Sequence, residues 1–245
     1  MKTGIIIQAR MGSTRLPGKI MKPLIDKPVL RHVIERVKQV KEADEIIIAT
    51  TTNKEDDIIE KEALDNNVKV YRGSEDDVLS RYFEAAHHYS LDVIVRITSD
   101  CPLIDPLIIN DMLNVYDQLA HDVMTNAGID ESQRTFPRGL DTEIFSFSVL
   151  KDAQAYAEKI YQREHVTPYL YENTNNIYYY KNSVDWSGYR ITLDTKEDFD
   201  LIQGIFKQLY EGKHNFFLKD IINVLNEDKA LASLNKHVKQ KKLER

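Results

Sequence analysis

Along residues 3–119, short apolar runs alternate with segments whose apolar positions recur every three or four residues. Ile5-Ile6-Ile7, Glu45–Thr50, Val68–Tyr71 and Asp92–Thr98 are compact, rich in β-branched residues and followed by turn formers, so they read as strands. Between and after them come Val29/Val33/Val37/Val40, then Asp56–Leu64, then Glu75–Tyr89 with Val78, Leu79, Tyr82, Phe83 and Ala86 inward, then Leu107/Ile108/Met112/Val115/Leu119. Charged residues fill the opposite face of each, as in amphipathic helices. Four strand–helix alternations predict parallel strands, right-handed crossovers and helices on both faces, with ligands gathering at the carboxyl ends of the strands.

The second half is less regular. Residues 126–140 are polar and hold Asn126, Gly128, Asp130, Pro137 and Gly139, which predicts a loop and a candidate lid. Leu140–Phe145 and Ile177–Lys181 read as strands with no requirement to run parallel to the first four, and Tyr189–Asp194 as a final strand. Thr195 caps a helix through Leu209; Phe216–Leu225 forms another, followed by a basic tail. No repeat or domain boundary interrupts residues 1–245, which read as one domain with a small lid or dimerisation insertion at about 126–188.

The chain has 245 residues, enough for one large core, and its 42% hydrophobic and 29% charged content fits a globular protein. The apolar run at the N-terminus is too short for a signal peptide or membrane span, and the single cysteine, Cys101, suits a reducing compartment; both predict a cytoplasmic protein. Net charge is −6, which argues against nucleic acid as a partner. Residues 1–41, however, carry ten Lys/Arg against two acids, a local basic excess that points to an anion site. Arg31, Arg36, Lys38 and Lys41 read as a solvated helix face.

Arg10, Arg15 and Lys19 read differently. They lie in Gln8-Ala9-Arg10-Met11-Gly12-Ser13-Thr14-Arg15-Leu16-Pro17-Gly18-Lys19, directly after the first strand. Gly12 and Gly18 permit positive φ and close backbone approach, turned N–H groups can cradle phosphate oxygens, and Ser13 and Thr14 add hydroxyl donors. A triphosphate carries about four negative charges and needs several such donors at once. The pattern is not the P-loop, since Ile20 stands where Ser or Thr is required, nor is it G-x-G-x-x-G.

Strand followed by Ala-Arg-x-Gly-Ser-x-Arg-Leu-Pro-Gly-Lys resembles the signature of the cytidylyltransferases that activate acidic sugars, the CMP-KDO and CMP-sialic acid synthetases among them. The closest likeness is to the spore-coat polysaccharide protein F type. Tyr71–Arg81, Thr98–Asp105, Arg163–Tyr169 and Leu193–Asp198 support it. The resemblance implies an α/β, three-layer GT-A-like nucleotide-sugar fold with a mixed, mostly parallel central sheet. It also implies transfer of CMP from CTP to a sugar with release of pyrophosphate, Mg²⁺, and commonly a homodimer.

Asp100 follows the fourth strand and Asp194 ends the final one, so the two can converge at one sheet edge and, with phosphate oxygens and water, hold Mg²⁺. The resembled family uses aspartates at these motif positions as metal ligands. Arg15, Lys19 and Asp100 are the catalytic candidates. Ala9, Arg10, Gly12, Ser13, Arg15, Lys19, Thr51, Arg72, Gly73, Asp77 and Arg81 are the nucleotide-binding candidates. Arg72, Asp77 and Arg81 can equally stabilise helix starts, and Asp105 reads as the cap of the helix that Pro106 begins. Arg138, Glu164 and His165, with Arg163, are candidates for the sugar side, where an acidic sugar needs an arginine; His165 reads equally as a core histidine. Asp141 and Glu143 read as either sugar contacts or salt bridges, and Cys101 as a buried packing residue.

Two other readings remain open on the residues. A GT-A glycosyltransferase cleaving a nucleotide-sugar would show Asp-x-Asp where this chain has Ser99-Asp100-Cys101. A non-catalytic nucleotide-sugar-binding protein would bind without turnover.

Overall fold

The computed structural model describes residues 1–241; the last four residues of the basic tail lie outside them. The predicted strands form β1 (Thr3–Gln8), β4 (Glu45–Thr51), β5 (Lys69–Gly73) and β6 (Val93–Thr98). A two-stranded hairpin, β2 (Pro23–Leu24) and β3 (Lys27–Pro28), follows the basic loop. Three further strands, β7 (Val123–Thr125), β8 (Glu143–Ser146) and β9 (Ile177–Tyr179), complete a seven-stranded sheet of order β5-β4-β1-β6-β8-β7-β9. The pairings β1–β4, β1–β6, β4–β5 and β7–β9 are parallel, while β6–β8 and β7–β8 are antiparallel. The sheet is therefore mixed and mostly parallel, and residues 126–188 contribute β8 and β9 to it.

Alternation along β1 explains the layers. Ile5 and Ile7 pack under α1 (Val29–Val37), α2 (Asp57–Asp65) and α4 (Pro106–Tyr116); Ile6 packs on the other face, against α3 (Val78–His88) and α5 (Phe147–Tyr156). Asp105 caps α4 by accepting from the Leu107 N–H at 2.9 Å. A third apolar cluster joins α8 (Lys196–Leu209), α9 (Leu218–Glu227) and α10 (Lys229–Ser233) to Leu24, Leu103, Ile191 and Leu193. Two short helices follow: α6 (Ile160–His165) packs on α3, and α7 (Pro168–Asn173) on α5 and α6. The sequence pattern shows neither these nor α5, and three-residue β7 is too short to register as a period.

Two expectations need correction. Tyr189–Asp194 is not a strand of the sheet. It runs beside an irregular loop, with Ile191 N donating to the Arg138 carbonyl at 2.7 Å and Leu193 N to the Asp100 carbonyl at 2.8 Å. Gly139 makes that approach possible: its φ is 105°, and a β-carbon there would lie 2.6 Å from the Ile191 backbone. Asp194 thus stands in the turn before α8, whose cap is Thr195. Arg36 is not solvated but fully buried. It donates to the Ile104 and Phe216 carbonyls and lies over the Phe216 ring, and burial lowers its pKa to about 10.

Candidate active site

The basic loop leaves the carboxyl end of β1, at the sheet's centre, and opens onto a cleft of about 530 Å³. Its shape is held from below. Met11 N donates to Asp56 Oδ1 at 2.7 Å, and the Thr51 hydroxyl donates to the other oxygen of the same buried carboxylate. Gly18, at φ 64°, closes the loop by donating to the Met11 carbonyl at 3.3 Å. Gly12 keeps an ordinary φ, so only Gly18 uses the left-handed freedom expected of both. Among the described residues, the N–H groups of Gly12, Ser13, Thr14 and Arg15 make no hydrogen bond within the chain. All four residues line the cleft, so four consecutive donors are available there to cradle an anion.

Opposite the cradle, the two aspartates meet. Lys19 Nζ donates to Asp100 Oδ2 at 2.7 Å, to Asp194 Oδ1 at 2.8 Å and to the Leu193 carbonyl at 2.8 Å. The other oxygen of Asp194 receives Arg190 Nη2 at 2.7 Å and Arg15 Nη2 at 3.1 Å. The other oxygen of Asp100 accepts from the Thr98 hydroxyl at 2.6 Å. Burial works against the charge on Lys19, but attraction to Asp100 and Asp194 outweighs it and raises its pKa. Burial likewise opposes the charge on Asp194, and Lys19, then Arg15 and Arg190, hold its carboxyl below the ordinary range. Both groups are therefore ionised at neutral pH, and two carboxylates converge on one cationic point.

The structure brings together Ala9, Arg10, Gly12, Ser13, Arg15, Lys19 and Arg81 of the expected nucleotide set, both aspartates, and Arg138, Glu164 and His165 of the expected sugar set. Four residues lie off the cleft wall. Thr51 supports the loop through Asp56. Arg72 turns away and latches the end of β4, donating to the Thr51 and Asn53 carbonyls and pairing with Asp57 and Glu60. Gly73 makes room for Arg81, whose Cγ lies 3.1 Å from where a β-carbon would stand. Asp77 caps α3 and receives Arg163 Nε at 2.7 Å, which ties α3 to α6.

The tie places Glu164 and His165 on the cleft wall. Just beyond, Val166 closes a γ-turn at φ 70°, ψ −60°, with Thr167 N donating to the His165 carbonyl at 2.8 Å. A β-branched residue in that region is strained, and such strain gathers where a side chain must be aimed. Burial depresses the His165 pKa and outweighs the opposing attraction of Glu164, so the neutral ring is favoured.

Sequence reasoning missed Gln8, Arg96, Thr98 and Thr192 on the wall. Arg96 joins Gln8 Oε1 at 3.1 Å to Glu143, which also receives the Tyr171 hydroxyl, so Glu143 is a buried counter-ion. Asp141 lines the cleft and pairs with Arg134 at 2.7 Å. Cys101 is buried, and burial pushes its thiol pKa well up, so it is a packing residue.

One cluster away from the cleft offers metal-type donors: His32, Glu35 and His214, whose ligand atoms lie within 4.8 Å of one another. Their facing atoms are already partnered, while His214 Nδ1 is buried without a hydrogen-bond partner among the described residues. His32 bridges the Leu24 carbonyl and His214, and Lys27 Nζ holds the Glu35 oxygen that faces His214. The cluster reads as a buried polar tie between α1 and the segment before α9. Burial, then the charge of Arg36, pushes His214 down to about 3, and burial lowers His32 too. The folded pair is neutral, whereas an unfolded imidazole titrates near 6.5, so its stabilisation is complete above that pH and is lost as pH falls toward 3. His214 alone should cost about 2 kcal/mol by pH 5. Urea midpoints at pH 7.5 and 5 should show a smaller drop in His214→Gln than in the parent; an equal drop would refute the assignment.

The family model described as cytidylyltransferase matches residues 4–242. The chain belongs to the cytidylyltransferase family. It is 32% identical over 243 residues, 93% of this chain and 95% of the relative, to the spore coat polysaccharide biosynthesis protein SpsF of Bacillus subtilis. A solved structure of a cytidylyltransferase from Leptospira borgpetersenii superposes with a TM-score of 0.89 at 38% identity, covering 99% of each chain. The CMP:2-keto-3-deoxy-manno-octonic acid synthetase solved with CTP shares the fold, with a TM-score of 0.66 at 18% identity over 85% of this chain and 99% of that one. These neighbours bear out the nucleotidyltransferase fold expected from the motifs. Among the described residues, no helix of this cytidylyltransferase is long and apolar enough to cross a membrane.

Proposed function

We propose that this chain transfers CMP from CTP to a hydroxyl of an acidic sugar, with release of pyrophosphate, using Mg²⁺. The observation that carries the reading is the meeting of the N–H cradle and its cations with two convergent carboxylates across one cleft. Neither a sugar-carboxylate site nor a simple phosphate site needs both halves.

The sugar hydroxyl attacks the α-phosphorus in line. A new O–P bond forms as the hydroxyl gives up its proton to solvent water, and the α–β bridging bond breaks, its electron pair leaving with pyrophosphate. The cradle N–H groups and Arg15 hold the β- and γ-phosphates, and Lys19 moves from the aspartates to the leaving oxygen. That Asp100 and Asp194 already share one cation between them supports a divalent-ion locus, and their oxygen donors suit Mg²⁺. When bound, Mg²⁺ would neutralise charge developing on the α-phosphate. Arg138, Glu164 and His165 would orient the sugar, and closure of residues 126–140 would exclude water. The reading extends to a cytoplasmic homodimer, which sedimentation velocity would test.

The test is pyrophosphate release from four nucleoside triphosphates, each with Mg²⁺, against acidic and neutral sugars. Release with CTP and an acidic sugar is expected. UDP release from a sugar donor would favour the glycosyltransferase reading, and CTP binding with no turnover for any sugar a sensor.

A further inference from the structure

A buried carboxylate four residues beyond Asp194 is used more heavily than its place in the chain requires. Asp198 stands in the first turn of α8 and forms a capping box with Thr195. That role needs only the Thr195 N–H, which Asp198 Oδ2 accepts at 3.0 Å. Four further donor contacts converge on the same group. Oδ2 accepts from Asp194 N at 3.0 Å and from Arg190 Nη2 at 3.1 Å, and Oδ1 accepts from Arg190 Nε at 2.9 Å and from Asn235 Nδ2 at 2.7 Å. Asn235 comes from the segment after α10 and is itself buried; its amide also donates to the Arg190 carbonyl at 2.9 Å. Gln240 Oε1 takes the remaining guanidinium nitrogen, Arg190 Nη1, at 2.6 Å.

What these contacts have in common is Asp194. Asp198 holds its main-chain N–H and grips the guanidinium that reaches its outer oxygen at 2.7 Å. Where that guanidinium places its charge decides how much of the Asp194 charge is left for an ion. Burial opposes the charge on Arg190, and Asp198, ahead of Asp194, outweighs burial and raises its pKa. On Asp194, burial is answered first by Lys19, then by Arg15, and only then by Arg190. Asp198 is therefore the main counter-charge of Arg190, through a two-nitrogen grip, and Arg190 is the least of the three cations on Asp194. Released from Asp198, the same guanidinium would bear on Asp194 alone and compete with any cation there.

We propose that Asp198 and Asn235 are positioning residues of the cation locus: they hold Arg190 back from Asp194 and fix the Asp194 main chain, so that its carboxylate stays open to a divalent ion. The proposal rests on the Mg²⁺-dependent nucleotidyl-transfer reading above. Neither residue lines the cleft, so each acts through Asp194 rather than on the ligands. The C-terminal segment, which carries none of the expected motifs, thereby gains a part in cation binding.

The experiment compares the full chain with Asn235→Ala, Asp198→Asn and the double variant Asp198→Asn/Arg190→Gln, each checked for folding by circular dichroism. It measures manganese binding to the nucleotide-free protein by electron paramagnetic resonance, and KM for Mg²⁺ and kcat in pyrophosphate release. Loss of a partner behind a metal ligand predicts that the manganese Kd rises roughly tenfold or more in Asp198→Asn and roughly threefold in Asn235→Ala. KM for Mg²⁺ should rise in step, with kcat at saturating Mg²⁺ within roughly twofold of the parent. The double variant should bind manganese more tightly than Asp198→Asn, because the competing charge has gone; a merely structural loss would deepen with the second change. Where a variant at Asp198 does not fold, Asn235→Ala decides alone. Unchanged manganese affinity in the folded variants, or no recovery in the double variant, would overturn the proposal and leave nucleotidyl transfer standing. A full chain that binds no manganese and releases no pyrophosphate with any acceptor would remove both.

Discussion

Replacing Lys19 with alanine is expected to lower turnover by about 10²-fold or more, the scale on which enzymes lose a positioned donor to developing charge. The same change should raise the affinity of the nucleotide-free protein for Mg²⁺ or Mn²⁺. In the structure the ammonium lies 2.7 Å from Asp100 and 2.8 Å from Asp194, and under the proposed metal site it would compete with the ion until a triphosphate drew it away. Removing it leaves two carboxylates facing each other with, among the described residues, Arg15 and Arg190 as counter-charges, both on the far oxygen of Asp194. A purely structural lysine would give another pattern: lower thermal stability, weaker metal binding and a modest loss of rate. Manganese binding followed by electron paramagnetic resonance, alongside pyrophosphate release, separates the two. Tighter metal with lost turnover supports the assignment, and near-normal turnover removes it.

Lys19 was legible in sequence because its signal is local. A glycine-punctuated loop with three cations after an apolar run can be read from spacing, as can the alternation that places β1, β4, β5 and β6. Signals carried by contact were not legible. Asp56 looks like an ordinary acid at a helix start, and only the fold shows that it holds both Met11 and Thr51. Arg36 sits at a plausible solvent-facing position, yet its neighbours Ile104 and Phe216 come from distant segments and bury it. Arg72 carries a motif that suggests ligand contact, whereas Asp57 and Glu60 in the first turn of α2 draw it away from the cleft. Tyr189–Asp194 has strand composition without strand pairing, because its neighbour is a glycine-bearing loop rather than a sheet edge. Local propensity reports the residue, and tertiary partners decide its use.

Asparagine at Asp100 or Asp194 is expected to cost turnover by about 10²-fold or more in each case, through loss of carboxylate at the cation locus. The two variants should part company in stability. Asp194 is the shared partner of Lys19, Arg15 and Arg190, so neutralising it leaves three cations short of a counter-charge; the loss should reach about 3 kcal/mol, toward the low end for a broken buried pair. Asp100 faces Lys19 and the Thr98 hydroxyl, and an asparagine there can keep the threonine contact, so its stability cost should be small. CTP affinity without metal should hold or rise in both, because a negative charge has left a site that binds a polyanion. Calorimetric titration of CTP in EDTA, paired with urea unfolding and pyrophosphate release, tests all three parts. Loss of metal-free CTP binding in Asp100→Asn would mean that this aspartate builds the cleft rather than serving the cation. The cradle and Arg15 would then have to carry the triphosphate alone.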